Sequence, residues 1–202
     1  MTLLQACSMI NDYPNEMKYA GKLLHIYQES GERADECRIS IKLGKLYLRQ
    51  DKRQEASELF EKALFICTEL GDKIAQATCF GSFGALYQAD GAYDKAKQYY
   101  EKALAMTKQI GDRKAEGSWC ESLGYLFLSV REVQKAIEYL EEALTISKEI
   151  GDTKRETSFY RKLGTVLQSI GKYQKAKEYC MYALSISKDI GDRKEEGIAH
   201  GY

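Results

Sequence analysis

Gly-Asp occurs at residues 71, 111, 151 and 191, forty residues apart each time, and Gly31-Glu32 extends the series toward the N-terminus. A fixed period of this length is the signature of stacked supersecondary units, not of one mixed core. Other columns keep the same beat. Gly44, Gly84, Gly124 and Gly164 align, as do Ala56, Ala96, Ala136 and Ala176, and so do the pairs Ala63-Leu64, Ala103-Leu104, Ala143-Leu144 and Ala183-Leu184. The period sets full units at 31–70, 71–110, 111–150 and 151–190. A partial unit occupies 1–30 and a further one begins at 191–202, all in one array across 1–202.

Within a unit the apolar spacing is helical. Trp119, Cys120, Leu123, Leu126 and Phe127 mark one run, about 113 to 130. Val133, Ala136, Ile137, Leu140, Ala143, Leu144 and Ile146 mark a second, about 133 to 150. The short breaks between runs, Asp90-Gly91 and Ile170-Gly171, are turn signals that force the two helices antiparallel. Gly-Asp then serves as a stop and a start. The glycine can close one helix in the left-handed conformation, and the aspartate can cap the next by accepting its first N–H groups. Lys108, Lys148 and Lys188 suit the negative helix ends. The partial unit's second helix is predicted to begin near Pro14, the single proline. The mid-helix glycine column predicts close helix approach, with the Ala56 column as its partner, because glycine there costs about 1 kcal/mol relative to alanine.

Composition removes several function classes. Lys+Arg and Asp+Glu number 30 each, which argues against nucleic acid as a partner. No apolar run reaches the roughly 20 residues of a membrane span. The start "MTLLQACSMINDYP" has no basic n-region, which argues against a signal peptide. The six cysteines form no C-x-x-C pair and read as reduced, buried small hydrophobes in a cytoplasmic chain. With two histidines, His25 and His200, no metal site, catalytic residue or cofactor is expected. Trp119 reads as core because it falls near the buried stripe.

The columns resemble the tetratricopeptide repeat. Its order of bulky residue, Leu-Gly, Tyr, Ala, aromatic, Ala is met by Phe80, Phe83-Gly84, Tyr87, Ala96, Tyr100 and Ala103. The usual repeat is shorter and ends in proline; here Thr68, Lys108, Lys148 and Lys188 stand in that place and the helix runs on. This longer form, with "EIGDR" joints, resembles the LGN/Pins-type and repeat-protein-28-type arrays. The resemblance implies an all-α, right-handed α-solenoid of antiparallel helix pairs. It also implies a concave groove lined by the first helix of each pair.

On that face the first full unit offers Arg38, Lys42, Lys45 and Arg49, spaced for one side of a helix. The next offers Thr78, Ser82, Ala85 and Ala89, and the third Ser118, Ser122, Tyr125 and Ser129. The fourth offers Ser158, Lys162, Thr165 and Ser169, with Arg161 adjacent. The expected function is a non-enzymatic protein-interaction scaffold that holds an extended or helical acidic peptide. Its site residues are Arg38, Lys42, Lys45, Arg49, Ser82, Ser122, Tyr125, Arg161 and Lys162. The chain's two asparagines, Asn11 and Asn15, lie outside the groove, so the asparagine clamps of chaperone-tail-binding and LGN-type members are not expected here. The alternatives are a self-associating structural segment and a helical-repeat RNA binder. Neither end reads as a polar cap, so the expectation is an excised segment or a homo-oligomer formed through the ends.

Overall fold

The computed structural model describes residues 13–189 and Gly191. Leu4, Cys7, Asn11 and the last partial unit beyond Gly191, Asp192 and His200 included, lie outside these residues. Nine helices follow in order among the described residues: α1 (Tyr13–Ser30), α2 (Arg33–Arg49), α3 (Arg53–Glu69), α4 (Lys73–Ala89), α5 (Tyr93–Ile110), α6 (Arg113–Ser129), α7 (Val133–Glu149), α8 (Thr153–Ser169) and α9 (Tyr173–Asp189). No strand occurs among them. Pro14 sits in the first turn of α1, as its missing N–H allows. The chain divides into two compact units, residues 1–110 and 111–202. In the first, α2 pairs with α3 and α4 with α5; in the second, α6 pairs with α7 and α8 with α9.

The forty-residue joints behave as their chemistry requires. Gly71, Gly111 and Gly151 have φ of +66°, +79° and +69°. The carboxylate that follows each accepts a backbone N–H: Asp72 from Ala75 at 2.9 Å, Asp112 from Ala115 at 2.9 Å, Asp152 from Arg155 at 3.1 Å. Glu32 occupies the same place before α2 and makes no such bond. Its side chain is one methylene longer than the capping geometry suits.

Packing across each pair differs from the sequence expectation in one respect. The glycine column does not face chiefly the alanine column; it makes room for the large residue four positions further along the partner helix. A Cβ added at Gly44 would lie 2.5 Å from the Phe60 ring, and one at Gly84 2.6 Å from the Tyr100 ring. At Gly124 the neighbour is Leu140, and at Gly164 it is the Cys180 sulfur, with the Ala136 and Ala176 carbonyls behind. The alanines instead let backbone approach backbone, and Ala56, Ala96 and Ala136 are fully buried.

The first unit's core is rich in rings. Phe60 and Phe83 meet edge-on at 5.7 Å, and Tyr87 stacks on Tyr99 at 5.2 Å. Tyr100 donates its hydroxyl to Gln88 at 3.0 Å, and burial pushes its pKa up to about 12. Cys37, Cys67 and Cys79 share a buried cluster with Ile41 and Ala75. All three are free thiols, as are the buried Cys120 and the half-buried Cys180. Burial pushes the Cys67 thiol up to about 11. Trp119 is half-buried; its indole Nε1 is shut off from solvent and has no described hydrogen-bond partner.

Two buried carboxylates tie helix starts to helix ends. Arg33 reaches both Glu36 at 2.9 Å and Glu69 at 2.8 Å, and Lys62 adds a bond to Glu36 at 2.9 Å. In the second unit Arg113 repeats the device with Glu116 and Glu149. Glu36 and Glu116 are otherwise enclosed, so these cations offset the hydration that the carboxylates lose on burial.

Candidate functional site

The two units build the face of their first helices differently, and the difference begins with three residues. In the first unit, α2 and α4 pack directly against each other. Ile41 of α2 and Ala75 of α4 share a buried cluster there, and Ser82, two turns further along α4, is buried as well. In the second unit the same three places, eighty residues on, hold Glu121, Arg155 and Lys162. These long side chains bridge α6 and α8. Arg155 donates to Glu121 at 3.2 Å and to the Ser118 hydroxyl at 2.9 Å, and Lys162 pairs with the other Glu121 oxygen. Carboxylate and cations meet in a partly wet seam, where such pairs mainly fix geometry.

An open crease follows from that bridge. Tyr125 and Leu128 of α6, Leu140 of α7, and Arg161, Lys162, Thr165 and Val166 of α8 enclose about 320 Å³. Tyr125 is 40% exposed, and the Lys162 ammonium lies 5.3 Å from its ring centre and 5.2 Å from that of Phe159. These are cation–π contacts that hold the lysine stem along the crease. Thr165 donates its hydroxyl to the Arg161 carbonyl at 3.1 Å. The matching floor residue in the first unit is Phe60, which fills its seam with a ring. Leu140, the smaller residue at that place in the second unit, lies fully buried beneath the crease.

The structure therefore brings Tyr125, Arg161 and Lys162 to one place. Ser122 lies on the same helix as Tyr125, half-buried, and donates to the Ser118 carbonyl at 3.1 Å. Ser82 is a correction. At 2% exposure, with its hydroxyl donating to the Thr78 carbonyl, it belongs to the packed seam and offers no surface.

The cationic stripe of α2 is present but largely partnered. Arg38 is exposed and pairs with Asp35 at 3.1 Å. Lys42 reaches the buried Glu16 at 3.1 Å. Lys45 is exposed, and the protein atoms crowded around it lower its ammonium pKa from the ordinary lysine value. Arg49 is exposed at the end of the helix.

Glu121, Arg155, Leu128 and Val166 were not singled out in the sequence. A signal exists in hindsight: Arg155 and Glu121 are 34 residues apart, as are Lys175 and Glu141, which meet at 2.9 Å. Opposite charges at that offset mark neighbours across one repeat. Among the described residues no group of three or more His, Cys, Asp or Glu could hold a metal ion. No described helix is long and apolar enough to cross a membrane.

Three tetratricopeptide-repeat family models match the chain, over residues 35–109, 120–154 and 157–190. No match was found among the curated proteins. Solved structures share the fold. The Rap conjugation gene regulator of plasmid pLS20, in complex with the Phr* peptide, superposes with a TM-score of 0.80 at 17% identity, over 98% of this chain and 55% of that one. Aspartyl phosphate phosphatase F from Bacillus subtilis gives 0.76 at 19% identity, over 83% of this chain and 44% of that one. BtubC from P. vanneervenii gives 0.69 at 20% identity, over 98% and 89%. The chain thus spans about half the length of the Rap regulator and of the phosphatase that it resembles. With its helix pairs, its forty-residue joints and these matches together, the chain belongs to the tetratricopeptide repeat family.

Proposed function

We propose that this chain is a non-enzymatic interaction scaffold and that the α6–α8 face of residues 111–202 binds an acidic peptide segment, extended or helical. One observation carries the reading: Arg161 and Lys162 line an open crease, and Glu121 is shared between Lys162 and the neighbouring Arg155. An incoming carboxylate can take Glu121's place on either cation, and bidentate bonds from arginine suit that exchange. The pLS20 regulator's peptide complex supports the reading by showing that a related fold holds a peptide. The α2 stripe of Arg38, Lys42, Lys45 and Arg49 is the second cationic surface in this proposal. Affiliation with the LGN/Pins-type or repeat-protein-28-type arrays rests on the forty-residue period and the Gly-Asp joints.

The test uses fluorescein-labelled peptides that are identical except for stepwise replacement of Glu by Gln and by Lys, read by anisotropy. Affinity is expected to rise with Glu content, and the double variant Arg161→Glu, Lys162→Glu to weaken it at least about tenfold. Reversal of Lys42 and Lys45 measures the share of α2. Affinity indifferent to peptide charge contradicts the proposal.

A second reading, self-association, is favoured by the apolar residues that α9 presents: Tyr173, Met181 and Tyr182 are each more than half exposed. Sedimentation equilibrium over a wide concentration range decides it.

A further inference from the structure

The crease in the second unit holds more than charge. Its floor and one wall are apolar: Leu128, Leu140 and Val166, with the Tyr125 ring beside them. Its polar groups stand on the α8 side, where Arg161, Lys162 and Thr165 line the edge. The corresponding seam of the first unit shows that the opening is a property of these residues and not of the repeat. There Ile41 and Ala75 share one buried cluster where α2 and α4 meet, and the Phe60 ring packs with Leu48 and Leu86 in another. Here long charged residues hold the helices on either side of an apolar cleft, and a leucine replaces the ring. An apolar hollow of about 320 Å³ is large enough for one side chain the size of Phe, Trp or Leu.

We infer that this crease is an anchor pocket that selects peptides carrying one large apolar side chain directly beside an acidic residue. The inference rests on the proposed function and narrows it: the cations recognise a carboxylate, and the crease fixes which carboxylates are admitted. The two requirements act together because the cations lie on the wall of the pocket itself. The Lys162 ammonium sits over Tyr125, so a carboxylate that engages it is held within one or two residues of the group filling the pocket. Burial of an apolar side chain in a small hollow is the kind of contact that dominates binding energy, whereas surface ion pairs chiefly orient the partner.

A random dodecapeptide display library panned on the whole chain tests this. The expected result is a consensus in which Asp or Glu adjoins Phe, Trp, Leu or Ile. Binding of a synthetic consensus peptide is expected to fall about tenfold or more in Leu128→Asp and in Leu140→Phe. Leu140→Phe refills the floor as Phe60 does above Gly44, so its helicity and melting temperature are expected to match the parent's. Should it fail to fold, Leu128→Asp on the half-exposed rim carries the test alone. An acid-rich consensus without an apolar partner, or one whose binding ignores both variants, overturns the anchor pocket and leaves the proposed function standing. A library that yields no acidic consensus, or one unaffected by Arg161→Glu with Lys162→Glu, overturns both.

Discussion

A methyl group added at Gly84 would lie 2.6 Å from the Tyr100 ring, whereas one added at Gly21 would meet nothing within 4 Å. Both glycines are helical, so the same substitution should act with opposite sign. Gly84→Ala is expected to cost about 1–3 kcal/mol through overpacking. Gly21→Ala is expected to stabilise by about 1 kcal/mol through helix propensity alone. Chemical denaturation of the two variants beside the parent checks the pair. Glu36 makes a residue-scale statement about pH. Burial alone would raise its pKa, but its bonds to Lys62 and Arg33 prevail and hold it below the ordinary value of 4.5. A carboxyl whose folded pKa lies below its unfolded one contributes stability that is complete above the unfolded value. That contribution is lost as pH falls through the folded one. Glu36→Gln is therefore expected to destabilise by about 1–3 kcal/mol at neutral pH. The deficit should shrink as pH drops below 4.5; thermal melts of parent and variant across that range read it directly. A deficit that does not change with pH would remove the ionised pair from the explanation.

At the scale of the helix, the joints were legible because each is made locally. A glycine in the left-handed region and an aspartate three residues before the N–H it caps need no tertiary information. The one joint that departs shows the same rule. Glu32 leaves α2 without a side-chain cap, so Glu32→Asp is expected to stabilise by about 0.5–1 kcal/mol, readable as a rise in melting temperature. The turns inside the helix pairs were legible where Gly91 and Gly171 stand. They were less legible at Asp51, φ 59°, where aspartate tolerates the left-handed region but does not require it, and hidden at Arg131, φ 62°, where the residue type gives no such signal. Arg131→Gly should therefore relieve strain by about 1 kcal/mol. What the glycine column does could not be read from the column itself. Small residues announce a close approach but not which neighbour makes it. The large residue at Phe60, Tyr100 and Leu140 turned out to lie over it, instead of the alanine four positions earlier.

For the molecule as a whole, the repeat fixed the fold class and left the surface open. Charged and hydroxyl residues on the first helices formed a plausible stripe in the sequence. Whether a given position faces solvent depends on the residues it meets one repeat away. Ser82 is buried, whereas Lys162, eighty residues on, stays partly exposed and pairs with Glu121 beside Arg155. Such pairs lie 34 to 41 residues apart, beyond the reach of a helical-face argument. Tyr125, Arg161 and Lys162 were reached from the sequence by position on the face, while the apolar crease between them came only from the fold. The most direct test of the binding account is a set of NMR shift perturbations on addition of a Glu-rich peptide selected by the chain. The account predicts that they centre on Tyr125, Leu128, Arg161 and Thr165. Shifts centred instead on the exposed faces of α7 and α9, with α6 and α8 unmoved, would contradict it.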